Sequence, residues 1–193
     1  MELKIKNKLA IDGVVKVQLH NPSIIGMDNK FFDRVMVTEY EKARHNPGAL
    51  QRLDDWAARC LVEDGTYHNV TCTVARTQIR KSLGNDTPTA TYLEYCAVGT
   101  NAAAPTVADT ILGTELARKQ ITLLTQASTQ IIARTFFLTS EANGVLKEVG
   151  HFLDDATAAA NSGTIFDHVA INQTKTSSLT LTIICTIAIS DGT

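Results

Sequence analysis

The sequence has few aromatic residues, few prolines and no long apolar segment. Aromatic side chains make up 6% of the 193 residues, and there are only four prolines. No apolar run approaches the roughly 18 residues that a membrane-spanning helix needs. The first residues alternate charged with apolar side chains instead of forming a signal-peptide core. We therefore expect a protein with no membrane partner that does not follow the standard secretory route.

Neither sign of charge dominates, and the cysteines form no metal-binding motif. The chain carries 18 basic and 20 acidic residues, a net charge of −2, which argues against nucleic-acid binding by excess positive charge. There is no CxxC pair and no cysteine–histidine spacing typical of a zinc finger. We expect the four cysteines to be small buried side chains in a reducing cytosol: Cys60, Cys72, Cys96 and Cys185.

Composition divides the chain near residue 65. Residues 1–65 hold 20 of the 38 charged residues, whereas 24 of the 25 threonines lie at position 66 or later. Threonine favours strands, where its hydroxyl can line one face of a sheet. The sequence therefore predicts a charged, helix-containing N-terminal segment over 1–65, an anchor or assembly region, followed by a threonine-rich β-sandwich domain over 66–193.

The N-terminal segment is predicted to contain one strand and two helices. Residues 15–19 alternate as a half-buried strand. Asp28 is placed to cap a short helix that ends before Pro47, with an extended conformation as the alternative. A second helix is predicted over 49–62, ended by Gly65. The apolar face of this helix recurs at intervals of three and four, and we predict that the sandwich or a partner buries it: Leu50, Leu53, Trp56 and Leu61.

The rest of the chain is predicted to consist mainly of short antiparallel strands. The last strand places its apolar residues on one face and mainly threonine on the other, and Asn-Gly predicts a hairpin turn over 141–144. Short helical segments are predicted at 75–83 and 110–118, with a small-residue loop at 99–109. The pattern predicts an antiparallel β-sandwich. Its strands are predicted near 70–74, 92–98, 119–126, 129–139, 145–152, 164–172 and 178–190.

No catalytic motif of a known class occurs in the sequence. It contains no GxSxG elbow, HExxH pair, Walker loop or GxGxxG turn. On a helix, Glu148 and His151 would share a face and could bind a metal with Asp155. On a strand, Glu148 and His151 would point to opposite faces. Because Gly144 and Gly150 bracket this stretch and disfavour a helix, we predict no metal site, no cofactor and no catalysis.

Several short motifs occur in an order that resembles bacteriophage tail-fibre and tail-collar-type virion proteins. Residues 97–100 read Ala-Val-Gly-Thr at the end of a predicted strand, followed by Ala-Pro, by Asp-Thr and by Leu-x-x-Glu-Leu-x-Arg at 112–118. Residues 141–152 read Glu-Ala-Asn-Gly-Val-Leu-Lys-Glu-Val-Gly-His-Phe, similar to Glu-x-Asn-Gly-x-x-x-Glu-x-Gly-Leu-Phe in that family. The resemblance covers residues 70–190.

The resemblance implies a virion structural protein rather than an enzyme. The motif residues Glu115, Arg118 and Glu148 are then expected to form structural ion pairs that tie a helix to the sheet. The chain departs from the pattern at His151, where the family has leucine, and at Asn101, where it has glycine. It also has a longer loop after residue 152, and residues 1–65 have no place in the resemblance.

The expected location is the virion, after synthesis in the host bacterial cytoplasm. The expected partners are other virion proteins, copies of the chain itself and, in an adhesion role, a host-surface receptor. A tail-fibre, collar or adaptor component is the first interpretation, and a head decoration or head-fibre protein on the capsid is the second. A carbohydrate-binding adhesion module and a wall hydrolase are further alternatives. The low aromatic content and the absence of an evident carboxylate pair argue against these two.

Overall fold

The computed structural model describes residues 8–84 and 86–192 and confirms a mainly β fold. It contains two antiparallel sheets of five strands each. The strands are β1 (Lys8–His20), β2 (Leu61–His68), β3 (Val70–Thr71), β4 (Leu93–Gly99), β5 (Glu115–Gln120), β6 (Leu123–Ala127), β7 (Gln130–Phe137), β8 (Gly144–Leu153), β9 (Ile165–Lys175) and β10 (Thr180–Gly192). The helices are α1 (Asn29–Ala43), α2 (Pro47–Cys60) and α3 (Thr73–Leu83), with a short 3-10 helix at Pro22–Ile25.

The two sheets enclose one apolar core between them. Sheet A has the strand order β2-β1-β10-β7-β6, and sheet B has the order β3-β9-β8-β4-β5. Alternate residues of the central strands point inward, as the period of two requires. Val17 and Ile183 of sheet A and Val149 and Val169 of sheet B are all fully buried in this core. The alternating sequence patterns therefore produce a β-sandwich.

The first strand is a central strand of the sandwich rather than part of a separate segment. β1 pairs along its whole length with β10, from Lys8 opposite Gly192 to His20 opposite Thr180, and pairs with β2 on its other edge. The predicted boundary after residue 65 falls inside β2. Composition shifts at this point because α1 and α2 expose charged surfaces, whereas the strands that follow are largely buried.

Helices α1 and α2 cover part of the outer face of sheet A. Asp28 caps α1 by accepting a hydrogen bond from the backbone N–H of Phe31 at 3.0 Å, which confirms the predicted helix start. Phe32 and Met36 of α1 are buried in a second apolar cluster with Phe136, which points outward from β7. None of the described helices is both long and apolar enough to cross a membrane.

Helix α2 ends earlier than predicted, because the chain turns into a strand at Leu61. Gly65 does not end the helix but lies within β2 and pairs with Val17 of β1. Leu61 already has extended dihedral angles, and the carbonyl of Cys60 accepts a hydrogen bond from the backbone N–H of Asn21 at 2.8 Å. The edge of β1 offers backbone hydrogen bonds to residues from Leu61 onward, and these residues could not form them if the helix continued through 61–62.

Two predicted elements near α3 and β5 are wrong. The strand predicted at 70–74 is only the two-residue β3, because α3 begins at Thr73 and runs for three turns. The helix predicted over 110–118 is absent: residues 115–120 form β5 at the edge of sheet B. The residues before β5 bond to a side chain of β8 instead of to carbonyls one helical turn away.

The Asn-Gly turn at 141–144 connects the two sheets and is not a hairpin. β7 pairs with β6 and β10 in sheet A, whereas β8 pairs with β4 and β9 in sheet B. Positive φ values occur at Ala142 (53°) and Gly144 (149°) rather than at the Asn-Gly pair of a two-residue hairpin. A turn is present at the predicted position. The Asn-Gly signal does not show, however, that the strands before and after the turn pair in different sheets.

Candidate functional site

The outer face of sheet B carries a buried carboxylate that holds a long loop in place. Glu148 of β8 is 1% exposed. Its carboxylate accepts hydrogen bonds from the backbone N–H groups of Asn101, Gly113 and Thr114 at 3.2, 2.8 and 2.8 Å. Hydrogen bonds to a charged acceptor are among the stronger ones in proteins. One side chain therefore fixes both ends of the connection between β4 and β5.

A histidine links this carboxylate to the middle of the same loop. The Nε2 atom of His168 lies 3.0 Å from an oxygen of Glu148, and its Nδ1 atom lies 2.6 Å from an oxygen of Asp109. Thr106 donates to Asp109 from its backbone N–H and its hydroxyl. Burial alone would raise the pKa of Asp109, but the hydrogen bonds from Thr106 and His168 outweigh it and lower the pKa. We call Glu148, His168 and Asp109 the loop clamp.

Two glycines of the resemblance make room for the loop clamp. A Cβ atom at Gly99 would overlap the carboxylate of Glu148 and the carbonyl oxygen of Thr114. A Cβ atom at Gly150 would lie 2.9 Å from Leu112 Cδ2, which is buried under the same loop. Gly99 requires glycine because a carbonyl oxygen and the carboxylate of Glu148 approach its backbone closely, whereas a Cβ atom at Gly150 would displace the end of the Leu112 side chain.

The predicted ion-pair residues are brought together in part. Arg118 donates two hydrogen bonds to the carboxylate of Glu115, both at 2.8 Å, and both side chains are almost fully buried. The guanidinium of Arg118 also lies 3.9 Å from the ring centroid of Phe152 and donates to the carbonyl of Ser162. Glu148 does not take part in this pair, since its oxygens bind the loop. Glu115 and Arg118 therefore tie β5 to β8 and to the loop after β8.

A bulge explains how Glu115 and Arg118 meet on a strand. Residues three apart on a regular strand point to opposite faces. Gly99 pairs with Glu115 whereas Val98 pairs with Ala117, so β5 has one extra residue at this point. The extra residue brings Glu115 and Arg118 to the same outer face. The helix predicted over 110–118 would have brought Glu115 and Arg118 together as neighbours on one helix face. In the structure they lie on β5, and the bulge brings them together within the sheet.

The predicted assembly face of α2 packs against the protein itself. Leu53 is buried, whereas Leu50 and Trp56 are half-buried beside the cluster that joins α1 to sheet A. The Trp56 ring centroid lies 6.5 Å from that of Phe32 of α1. Leu61 belongs to β2 and not to the helix. Most of this face is therefore used within the chain, and a partner would meet only the exposed part of Leu50 and Trp56.

The three residues that could have bound a metal if 145–152 were a helix, Glu148, His151 and Asp155, lie in three different places. The strand predicted near 145–152 is confirmed as β8 (Gly144–Leu153). Glu148 pairs with Ala170 and points outward, whereas His151 pairs with Asp167 and points into the core. Asp155 accepts hydrogen bonds from the backbone N–H and the hydroxyl of Thr164 in the loop that follows. Glu148, His151 and Asp155 therefore do not converge on one point.

The inward side of β8 carries a polar cluster that the sequence did not predict. His151 Nδ1 lies 2.7 Å from Asp167 Oδ1, and Asn69 donates to Asp167 Oδ2 at 2.8 Å. The sulfur of Cys185 lies 3.6 Å from the same carboxylate. Burial alone would lower the pKa of His151 and raise that of Asp167, but their mutual attraction outweighs it. It holds the pKa of His151 well above its usual value and lowers that of Asp167.

One signal for this cluster was present in the sequence. His151 stands where the resembling family has leucine, and a histidine at a core position needs a polar partner. Asp167 and Cys185 are 16 and 34 positions further along the chain, so only the register of β8 with β9 and the packing of the two sheets bring them together. The four cysteines are all free and buried, as predicted.

An apolar groove opens at one end of the sandwich. Ile11, Ile79 and Ile131 line its wall. Three further apolar side chains of the groove remain substantially exposed at its rim, with 53% of Tyr92, 39% of Leu124 and 42% of Ile189 accessible to solvent. Exposed apolar groups around a concave surface are typical of sites that contact another molecule.

Comparisons of the chain with protein-family models, with curated proteins and with solved structures found no match.

Proposed function

We propose that this protein is a non-enzymatic structural component of a bacteriophage virion that acts through assembly contacts. A tail-fibre, collar or adaptor component is the preferred position, and the chain reaches the particle from the host bacterial cytoplasm. The motif resemblance over residues 70–190 is the source of this assignment. The β-sandwich agrees with it, although such folds serve many functions.

The observation that carries the proposal is the structural use of the motif residues. Glu148 and Gly99 belong to two motifs that are about 50 positions apart, yet they are in direct contact on the outer face of sheet B. Glu115 and Arg118 lie beside them as a buried pair. In each case the charged group is bonded to the chain's own backbone or to an opposite charge. These residues fix the shape of a surface, as a virion component that acts by assembly would need.

The apolar groove is the surface through which we expect copies of the chain, or other virion proteins, to make contact. Its rim residues Tyr92, Leu124 and Ile189 are exposed in the single chain, and burying them would remove apolar surface from water. Few charges surround them to keep copies apart, because the chain from residue 66 onward is poor in charged residues. We expect a homo-oligomer, or copies held by other virion proteins, and a trimer by the resemblance to fibre proteins.

Two other roles have less support. A head decoration or head-fibre protein would use the same sandwich on a capsid, and the motifs do not distinguish it from a tail component. A carbohydrate-binding adhesion module would need an aromatic platform. Trp56 is half-buried against Phe32, and the exposed aromatic residues are far apart in the chain, with Phe31 on α1 and Tyr92 just before β4. Binding to a host-surface receptor is therefore the least supported role of the protein.

Immunogold labelling of particles tests the virion assignment. An antibody raised against the purified chain is applied to bacteriophage particles from a lysate in which the chain is produced. Label on the tail or collar is the expected result, and label on the head would favour the head alternative. If the chain is abundant in the lysate but absent from washed particles, the proposal is wrong.

Light scattering of the purified chain tests the assembly contact. We expect a homo-oligomer that Leu124→Asp dissociates, because a charge would be buried in an apolar contact. Ala58→Asp, on the exposed side of α2, is the matched control and should leave the oligomer intact. A wild-type monomer at every concentration would overturn the self-association part of the proposal.

A further inference from the structure

A lysine and an asparagine meet at the end of the sandwich where the turn over 141–144 connects the two sheets. Lys175 is the last residue of β9 and is only 1% exposed. Its Nζ atom lies 2.9 Å from Oδ1 of Asn143 and 3.2 Å from the carbonyl oxygen of Thr139. Nδ2 of Asn143 donates to that same carbonyl oxygen at 3.1 Å. An amine and a carboxamide are therefore held in contact, and one backbone carbonyl orients both.

The position of Lys175 places its amine where water has little access. Every second residue near the end of β9 is buried, and Lys175 takes the buried position that follows Ile171 and Gln173 in this alternation. A fully buried lysine normally pairs with a carboxylate. The hydrogen-bond acceptors of this amine are instead two uncharged oxygens, from Thr139 and Asn143. The charged form of Lys175 is therefore poorly stabilised.

Two carboxylates act on Lys175 from a distance but bind other groups. Asp33 of α1 accepts from the backbone N–H and the hydroxyl of Thr139, and Glu141 binds the ammonium of Lys119. Their charges raise the pKa of Lys175, but burial outweighs them and lowers the pKa from 10.5 to about 8. Roughly one chain in ten therefore carries a neutral amine here at pH 7, and a neutral lysine amine is a nucleophile.

We propose that Lys175 and Asn143 form an intramolecular isopeptide bond in the folded chain. Nζ of Lys175 attacks Cγ of Asn143, which is one bond beyond the Oδ1 atom that Nζ contacts. A Cγ–Nζ bond forms, the Cγ–Nδ2 bond breaks, and one proton passes from Nζ to Nδ2, which leaves as ammonia. An amine and a carboxamide thus give a secondary amide and ammonia, so the step needs no oxidant, reductant or other co-reactant. Holding the two groups together supplies the orientation that makes such a reaction fast within one molecule.

The product suits this position better than the reactants do. A secondary amide carries no charge, so the reaction removes the cost of keeping an ammonium away from water. The bond joins residues 32 positions apart and ties the turn between the sheets to the end of β9. A chain closed in this way has fewer unfolded conformations and resists unfolding. Lys175 titrates only in chains that have not reacted, so a pH dependence of stability from this group belongs to the unreacted chain.

A second lysine–asparagine contact in the chain provides the matched control. Nζ of Lys147 on β8 donates to Oδ1 of Asn172 on β9. Lys147 is half-buried and Asn172 is exposed, so water solvates this ammonium and a carboxamide in contact with it should not react. Comparison of the two pairs separates the effect of contact from the effect of burial.

Mass spectrometry of the intact chain is the first test. The purified wild type is kept folded at mildly alkaline pH, and we expect a species lighter by about 17 Da, the mass of the ammonia lost, whose share rises with time. Lys175→Met and Asn143→Ala should keep their full mass, whereas Lys147→Met should react as the wild type does. Wild-type chain kept in urea should also keep its full mass, because the two side chains meet only in the folded state.

Tryptic peptides distinguish the isopeptide bond from a competing reaction. Attack by the backbone nitrogen of Gly144 on Cγ of Asn143 would form a succinimide ring with the same loss of ammonia. The isopeptide bond should leave the peptide that contains Asn143 joined to the one that contains Lys175, with no cleavage after Lys175. A wild type that keeps its full mass after weeks in the folded state, or a loss of ammonia that persists in Lys175→Met, would overturn the proposal, whatever the outcome for the virion role.

Discussion

The loop clamp offers the sharpest test of how the outer face of sheet B is held together. Glu148→Gln changes one oxygen to an NH₂ group and keeps the shape of the side chain. The carboxylate of Glu148 binds the N–H groups of Asn101, Gly113 and Thr114, and one of its oxygens also faces His168. An amide has a single acceptor oxygen, so at least one backbone N–H then faces another donor, and the remaining bonds lose their charge.

The expected loss of stability follows from these contacts. A hydrogen bond to a charged group contributes about 1.5–3 kcal/mol, and a buried donor left without an acceptor costs a further 1–3 kcal/mol. Because the loop can move toward water and recover part of this cost, we expect Glu148→Gln to lower the free energy of unfolding by about 2–4 kcal/mol. For a chain of this size that corresponds to a melting temperature lower by about 4–16 °C.

Two measurements check the expectation. Urea unfolding gives the free energy, and hydrogen exchange reports the amides of Gly113 and Thr114, which bond to different oxygens of Glu148. At least one of them should lose protection, because an NH₂ group replaces its acceptor. Glu63→Gln is the control, since Glu63 lies exposed on β2 and its side chain makes no hydrogen bond or ion pair within the described part of the chain. Its unfolding free energy should change by less than about 0.5 kcal/mol. A Glu148→Gln protein as stable as this control, with both amides still protected, would refute the clamp.

Three further predictions concern other buried charged or titratable groups. Burial, aided by nearby Lys16, lowers the pKa of His20 from 6.5 to about 4, so the unfolded state binds a proton first on acidification and stability should fall between these pH values. His20→Leu should remove that slope in urea titrations, and an unchanged slope would contradict the assignment. Burial lowers the pKa of Lys175 from 10.5 to about 8, so stability should rise as pH rises between these values and stay level in Lys175→Met. A similar rise in that variant would exclude Lys175 as its source. Arg118→Lys loses the paired hydrogen bonds to Glu115 and the contact with the Phe152 ring. It should lower the free energy of unfolding in urea by about 2 kcal/mol, and an unchanged free energy would show that a positive charge alone is enough to stabilise this position.

Alternation in the sequence was sufficient to predict the sandwich. The last strand, predicted near 178–190 and observed at Thr180–Gly192, was found because its apolar residues repeat every second position, and that pattern fits a sheet with one buried face. The predictions that were wrong involve pairing over long distances. The strand β2 replaces the end of a helix because β1, some 45 positions earlier, offers it an edge. Residues 110–118 lack a helix because Glu148 binds their backbone. Neither partner is visible in a local window.

The candidate sites could be predicted only in part for the same reason. Glu115, Arg118 and Glu148 were singled out through the resemblance, but Glu148 has a different partner from the one expected. His168 and Asp109 had no signal of their own, because a lone histidine and a loop aspartate are common on protein surfaces. Their roles depend on the register of β9 against β8, which brings His168 to the face of Glu148.

That register also explains why two polar groups of β8 are tolerated in buried positions. Glu148 faces outward toward His168, and His151 faces inward toward Asp167, so adjacent residues of β9 serve opposite faces. A slip of one residue would turn each side chain of β8 to the other face. Glu148 would then enter the apolar core without its N–H donors, and His151 would leave Asp167 as an unpaired buried charge, each at a cost of several kcal/mol. Register shifts on either side of this stretch adjust the pairing so that both contacts form. We infer that the two polar pairs specify the alignment of β8 with β9, which the apolar residues of the strands alone would define less strictly.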